Sequence, residues 1–219
     1  DYDQARAALY EGDYGYQLIG DVASLGFTVN GIVPDGFRVM TMNKKVESLA
    51  DMHGLKMRMP NLEIMVEIGN YLGFAVTPMS MTEVFSALEQ GVIDGQENPP
   101  STIRSQGWYE IQDYLLVSNH VFTSLFLCVN NDFYNSLDSE LQNILDEVID
   151  ETCAQIWDTA QTQAQEDLDY MSSEGGIEVY EPSDSFRQEM VEATAPMYDN
   201  MYETAPEVEE VINAIQAIQ

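Results

Sequence analysis

Leu55-Lys56-Met57-Arg58-Met59-Pro60-Asn61 and the twelve residues that follow, through Gly73, carry a strand, a stop and a helix in quick succession. Leu55, Met57 and Met59 alternate with Lys56 and Arg58, the period-two pattern of a strand with one apolar face. Pro60 ends the strand, because it has no N–H to give to a ladder. Asn61 is a good N-cap for a helix running through Leu72, and Gly73 closes that helix. A strand feeding a helix over so short a link is the unit from which α/β folds are built.

The same alternation extends in both directions. Upstream, Gly36 to Met42 reads as a strand, and Ser48 to His53 as one short helical turn ended by Gly54. Downstream, Phe74 to Thr77 is a strand. Ser80-Met81-Thr82-Glu83 is a capping box that opens a helix through Val84, Phe85 and Leu88, with Gly91 at its end. Val92-Ile93-Asp94-Gly95 reads as a strand entering a turn, and Leu115–Val117 and Thr123–Val129 as buried strands. From Asp138 the pattern changes. Leu141, Leu145, Val148, Thr152, Ile156, Ala160, Ala164, Leu168 and Met171 form one apolar stripe at helical spacing, ending at Gly175-Gly176. A coiled coil is the plainer reading of such a stripe, but its small Ala and Thr positions favour a spine lying across two domains. Two further helices follow Ser183 and Thr204. No internal repeat stands out.

The chain has 219 residues, 45% of them hydrophobic, enough to bury a sizeable core. It carries 38 acidic and 8 basic residues, a net charge of −30. That charge argues against nucleic acid and anionic membranes as partners, since both require basic surface. No apolar run reaches the length of a spanning helix, so the chain is not read as membrane-spanning. It opens directly on Asp1-Tyr2-Asp3-Gln4, in which no signal peptide is read. From Ser105 to Phe186 there is no Lys or Arg. A solvated acidic surface, suited to salt or solubility, is the favoured reading of this imbalance, and a docking face for a basic partner is the sharper one. Cys128, in the run Leu125–Val129, and Cys153 read as buried free thiols, although a single disulfide stays open.

Arginine is scarce, and Arg58 is the most telling of the five. It stands near the end of a strand, opposite three apolar residues, with a helix starting just beyond. In open α/β sheets, ligands bind outside the carboxyl ends of strands, where helix N-termini favour anions. A guanidinium there makes a two-pronged clamp for a carboxylate. The alternative is a surface salt bridge, easily found among so many acids. Asp94-Gly95-Gln96-Glu97-Asn98-Pro99-Pro100 could present amides to a ligand, but on the residues alone it reads as a plain turn. Catalysis has little support. The histidines are His53 and His120, and no nucleophile elbow, zinc-binding pair, phosphate loop or Cys-x-x-Cys occurs. No catalytic residue, metal site or cofactor is expected.

Taken together, several blocks resemble the TRAP-transporter solute-binding proteins of the DctP family. They are Gly36-Phe37-Arg38, then Asp51-Met52-His53-Gly54-Leu55-Lys56-Met57-Arg58-Met59-Pro60, then the run from Pro78-Met79-Ser80-Met81 to Asp94-Gly95-Gln96-Glu97-Asn98-Pro99. Tyr109-Glu110-Ile111-Gln112, His120 and the long helix also fit. The resemblance implies an α/β, two-lobed, periplasmic-binding-protein-like flytrap with a long helix spanning both lobes. It implies a remnant of lobe I over 1–35, a ligand-binding lobe II over 36–122 and a return strand to lobe I over 123–137. A spine helix over 138–175 and a C-terminal helical segment over 176–219 complete the division. It implies a receptor rather than an enzyme, located outside the cytoplasmic membrane, that hands a small carboxylate (a dicarboxylate or a sugar acid) to a TRAP membrane permease. Carried over residue by residue, Arg58 matches the arginine that pairs with the solute carboxylate, and Arg38 a second arginine lining the pocket. Asn98 matches an asparagine that also reaches the carboxylate. Asn61 falls where pocket residues occur, and His120 matches a histidine of the polar network behind the pocket. Met81 stands where the family often has an aromatic ring, a departure that bears on solute identity.

A larger departure lies at the start. Family members have a longer first lobe, so this chain is expected to lack that lobe's opening strands. An unpaired sheet edge and apolar surface should then be exposed, and the isolated chain should be unstable or associate. The alternative function is a truncated, non-binding interaction or sensor protein with an acidic docking face. An acid–base hydrolase, supported by nothing beyond abundant carboxylates, comes last.

Overall fold

Strand and helix follow one another as expected around Arg58 in the computed structural model, which describes residues 1–12, 14–19 and 22–218. In chain order the first elements are α1 (Tyr2–Leu9), α2 (Tyr14–Ile19), β1 (Phe27–Phe37), β2 (Val39–Met42), α3 (Leu49–Met52), β3 (Lys56–Met59), α4 (Glu63–Tyr71) and β4 (Ala75–Pro78). Next come α5 (Val84–Glu89), β5 (Gly95–Asn98), α6 (Pro100–Gln106), β6 (Tyr114–Leu116), β7 (Phe122–Asn130) and α7 (Asn131–Ser136). The chain finishes with α8 (Ser139–Ser173), β8 (Glu178–Tyr180), α9 (Asp184–Thr194), α10 (Pro196–Thr204) and α11 (Glu207–Gln216). The chain divides into two units. The first comprises Asp1–Gly36, Phe122–Thr162 and Ala205–Gln219, and the second Phe37–Val121 and Gln163–Thr204. Residues of α8 belong to both.

The second unit is built on a six-stranded sheet in the order β4-β3-β5-β2-β6-β8. β3 is parallel to β4 and β5, and β6 is parallel to β8, while β2 runs antiparallel to both β5 and β6. Each face carries a core. On one, Met40, Met42, Met57 and Met59 pack with Met65, Ile68 and Leu72 around α4 and with Phe186 and Met190 of α9. On the other, Val39 and Leu115 pack with Val84, Leu88, Ile93, Ile103, Trp108 and Met171. Burying each such side chain contributes about 1.5–3 kcal/mol. β2 and β5 are consequently buried on both faces, and their residues do not alternate between core and solvent.

This arrangement corrects several expectations. Gly95–Asn98 is a central strand, not a turn after one, and Val92–Asp94 precede it as loop. Gly95 is required there: a Cβ would stand 2.4 Å from the Thr41 carbonyl oxygen of the neighbouring strand. The strand expected over Gly36–Met42 is interrupted at Arg38. Asn61 does not cap α4. The Leu62 N–H bonds back to the Pro60 carbonyl at 2.8 Å, so a tight turn places Leu62 at the cap and Asn61 outside the helix, exposed. Residues 176–219, expected as a C-terminal helical segment, hold β8, an edge strand on β6, followed by α9, α10 and α11.

The first unit contains the β1–β7 pair, α1, α2, α7, α11 and the first part of α8. The buried stripe of α8 here is Ile149, Cys153 and Trp157, one residue round from the expected one. Leu141, Val148 and Ile156 are exposed. Trp157 fixes the register, donating its indole N–H to the Ile32 carbonyl at 2.9 Å and stacking between Tyr10 and Phe122. β7 is not the buried strand that Thr123–Val129 suggests, since Leu125 and Phe126 are about half exposed. Both cysteines are free thiols. Cys153 is buried as expected, but Cys128 is exposed.

Candidate functional site

The strand directions bring one set of residues to one edge of the second unit's sheet. The carboxyl ends of β3, β4, β5 and β6 share that edge with the amino end of antiparallel β2. Arg38 therefore enters the edge just before β2, Arg58 near the end of β3, Asn98 at the end of β5, and His120 just after β6. Register makes this specific: Val39 pairs with Asn98, Thr41 with Gln96, and Arg58 with Gln96. Thr41, Gln96 and Arg58 form one row across three strands.

Arg38 is buried and held on several sides. Its Nε donates to Glu97 Oε2, and its Nη2 donates to Glu97 Oε1 at 2.9 Å, the Glu97 carbonyl at 2.8 Å and Asn98 Oδ1 at 3.0 Å. Asn98 Nδ2 donates to Gln96 Oε1 at 2.8 Å, and Gln96 Nε2 donates to the Thr41 hydroxyl at 3.0 Å. On the far side of Glu97, His120 Nε2 lies 3.4 Å from Oε2, near enough for charge attraction but not aligned as a hydrogen bond. His120 Nδ1 pairs with the Ser118 hydroxyl at 2.7 Å. Burial opposes ionisation of Glu97, yet His120 and Arg38 together outweigh it and hold the carboxyl below its ordinary range. The pair Arg38–Glu97 is thus a buried, neutralised unit that fixes the end of β5.

Arg58 differs. Its Nε and Nη2 both donate to the Met79 carbonyl, at 3.1 and 2.9 Å. The residue is only 4% exposed, and among the described residues no carboxylate lies within salt-bridge distance of it. The other four arginines all have one: Arg6 with Asp158 and Glu11, Arg38 with Glu97, Arg104 with Asp167, Arg187 with Glu181. Burial, with Arg38 nearby adding to it against the pull of Glu97, pushes the Arg58 guanidinium below its usual range. A buried cation without a partner is costly unless something supplies a counter-charge. The Nη1 groups of Arg38 and Arg58 have no acceptor among the described residues.

Of the six expected site residues, hydrogen bonds and close charge contacts join Arg38, Asn98 and His120 through Glu97, and sheet register brings Arg58 beside Gln96. Asn61 and Met81 follow β3 and β4 at the same edge but are exposed and outside this network. His53 is apart from it, against Gly73. Sequence reasoning missed Glu97, Gln96 and Thr41 as structural members of the site. The first two stand inside the quoted Asp94–Pro100 block, which was the available signal.

Comparison with known proteins agrees on the class. A TRAP periplasmic solute-binding protein from Haemophilus influenzae, solved with bound L-gulonate, superposes with a TM-score of 0.87 at 31% identity, covering 99% of this chain and 70% of that one. The C4-dicarboxylate-binding periplasmic protein DctP of Rhodobacter capsulatus is 30% identical over 193 residues, 88% of this chain and 58% of that protein. The sialic acid-binding periplasmic protein SiaP of Vibrio cholerae is 30% identical over 200 residues, 90% of this chain and 60% of that protein. The fold is therefore the mixed-sheet α/β fold of TRAP periplasmic binding proteins. The chain belongs to the DctP family, bacterial extracellular solute-binding protein family 7, whose model matches residues 1–205. This is a family of solute-binding receptors, not of enzymes. The chain spans less than two thirds of the length of the two curated relatives.

Proposed function

We propose that this chain contributes the carboxylate-recognising lobe of an extracytoplasmic receptor, which captures a small organic acid and delivers it to a TRAP-type membrane permease. One observation carries the reading: in a chain with 38 acidic residues, Arg58 is buried and has no carboxylate partner among those described. A carboxylate from outside supplies the missing counter-charge, with Arg58 Nη1, Arg38 Nη1 and the second Asn98 N–H as donors. Arg38 remains committed to Glu97.

The charge balance favours one class of solute. Arg38 and Glu97 cancel, leaving the single charge of Arg58, which matches one carboxylate. A sugar acid, with one carboxylate and a run of hydroxyls, satisfies this set. The second carboxylate of a dicarboxylate needs a cation beyond these residues. Asn61 and Met81, exposed at the same edge, are the residues we propose to touch the body of the solute. Location outside the cytoplasmic membrane and delivery to a permease rest on family membership.

The test is a thermal-unfolding screen of the chain against small organic acids, each beside a neutral analogue, such as L-gulonate beside the alditol of the same length. A ligand at 100 times its dissociation constant stabilises by about 2.7 kcal/mol. A shift with the acid and none with the alditol supports the reading, and equal responses to both refute it.

A further inference from the structure

A cavity of about 210 Å³ lies in the second unit between the end of α4, helices α9 and α10, and the loop that follows β6. That is room for several waters or a small organic molecule. Its lining is mixed, with Ile68, Met190 and Met197 forming an apolar side. Its polar end is formed by the loop residues Asn119 and His120 together with Arg187.

Three features distinguish this end from ordinary surface. Asn119 has φ of 47°, the only non-glycine residue with positive φ among those described. Asn adopts this conformation more readily than other non-glycine residues, and here it sets the course of the loop at the cavity. Arg187 Nη1 donates to the Ser118 carbonyl at 3.2 Å, which holds the guanidinium at the cavity. Its carboxylate contact, Nη2 to Glu181 Oε2, is long at 3.4 Å and solvent-exposed on both sides. Exposed pairs of this kind are worth little, so a carboxylate arriving in the cavity competes for the guanidinium at small cost. His120 stands between this cavity and Glu97, separating the two regions by one side chain.

We propose that this cavity is a second ligand site, distinct from the Arg58 edge. It takes a small amphipathic carboxylic acid, with the apolar body among Ile68, Met190 and Met197 and the carboxylate on Arg187. The proposal is independent of the solute assigned to Arg58.

The experiment uses 4-methylbenzoate as probe and 4-methylbenzamide as its uncharged counterpart, followed by methionine-methyl NMR on the whole chain. Saturable shifts of the Met190 and Met197 methyls with the acid, retained in Arg58→Ala, are expected. Arg187→Met, and independently Val191→Trp at the exposed rim, should each weaken binding at least tenfold while the melting temperature shows the fold intact. Absence of saturable binding to the unmodified chain overturns the proposal. So does binding lost in Arg58→Ala but kept in Arg187→Met, or amide binding as tight as acid binding.

Discussion

Replacing Arg58 by methionine should separate binding from folding. The substitution removes one partner of the proposed buried charge pair, a loss of about 2–5 kcal/mol in affinity, or roughly 30- to 5,000-fold in Kd. Its effect on the ligand-free fold is much smaller, because two terms oppose each other. The Met79 carbonyl loses both of its donors, 2.9 and 3.1 Å away, at about 1.5–3 kcal/mol for bonds to a charged group. Against this, an apolar side chain removes a buried charge that has no carboxylate partner, a change worth ~1–4 kcal/mol when it packs well. The net change in stability should lie within about 1 kcal/mol, or about 2–4 °C in Tm for a chain of this size. Calorimetric titration with L-gulonate and thermal unfolding without ligand measure the two quantities. Arg58→Lys should retain part of the affinity, since it keeps the charge but not the planar fork. Unchanged affinity in Arg58→Met refutes the reasoning, as does a stability loss as large as the affinity loss, which would make Arg58 a structural residue.

Glu97→Gln should be far more damaging to the fold than Arg58→Met, costing about 3–5 kcal/mol, because it strands buried Arg38 without its counter-charge; chemical unfolding would read this directly. The same carboxyl sets an acid limit: its folded pKa lies below the ordinary 4.5, so its stabilisation is full above 4.5 and is lost as pH falls through the lower folded value. Unfolding free energy followed from pH 6 to pH 3 should fall in that range, and the fall should be shallower in Glu97→Gln. Gly95→Ala should destabilise by about 1–3 kcal/mol through overpacking against Thr41, with a clash at 2.4 Å, and a neutral result in a melting experiment would contradict the close approach. Leu125, Phe126, Phe133, Leu141, Ile144 and Val148 are exposed apolar residues of the first unit, so the chain should self-associate with rising concentration in sedimentation, whereas a dispersed monomer of high thermal stability would argue against these residues being adhesive.

What could be read in advance follows from how each element meets solvent. β3 and α4 were legible because Lys56 and the exposed face of α4 alternate with apolar positions. β5 was not, because both of its faces are buried and its polar side chains are satisfied by Thr41, Arg38 and each other. Burial without apolarity leaves no periodic signal. In the first unit the stripe of α8 was displaced by one residue for a related reason, whereas Leu168 and Met171 pack in the second unit's core as expected. Leu141 and Val148 are apolar yet exposed, while Cys153 and Trp157, which carry the contact, fell outside the counted positions. At the site, arginine scarcity made Arg58 conspicuous, and the family resemblance supplied Arg38, Asn98 and His120. Glu97 was hidden among 38 acidic residues, and only the fold distinguishes the few that are buried against an arginine, Glu97 and Asp167, from those that face water.

A crystal structure of the chain with L-gulonate tests the central claim most directly. The account predicts the solute carboxylate within hydrogen-bond distance of Arg58 Nη1, with Arg38 still paired to Glu97. A carboxylate bound elsewhere, with Arg58 still held by the Met79 carbonyl alone, would contradict it.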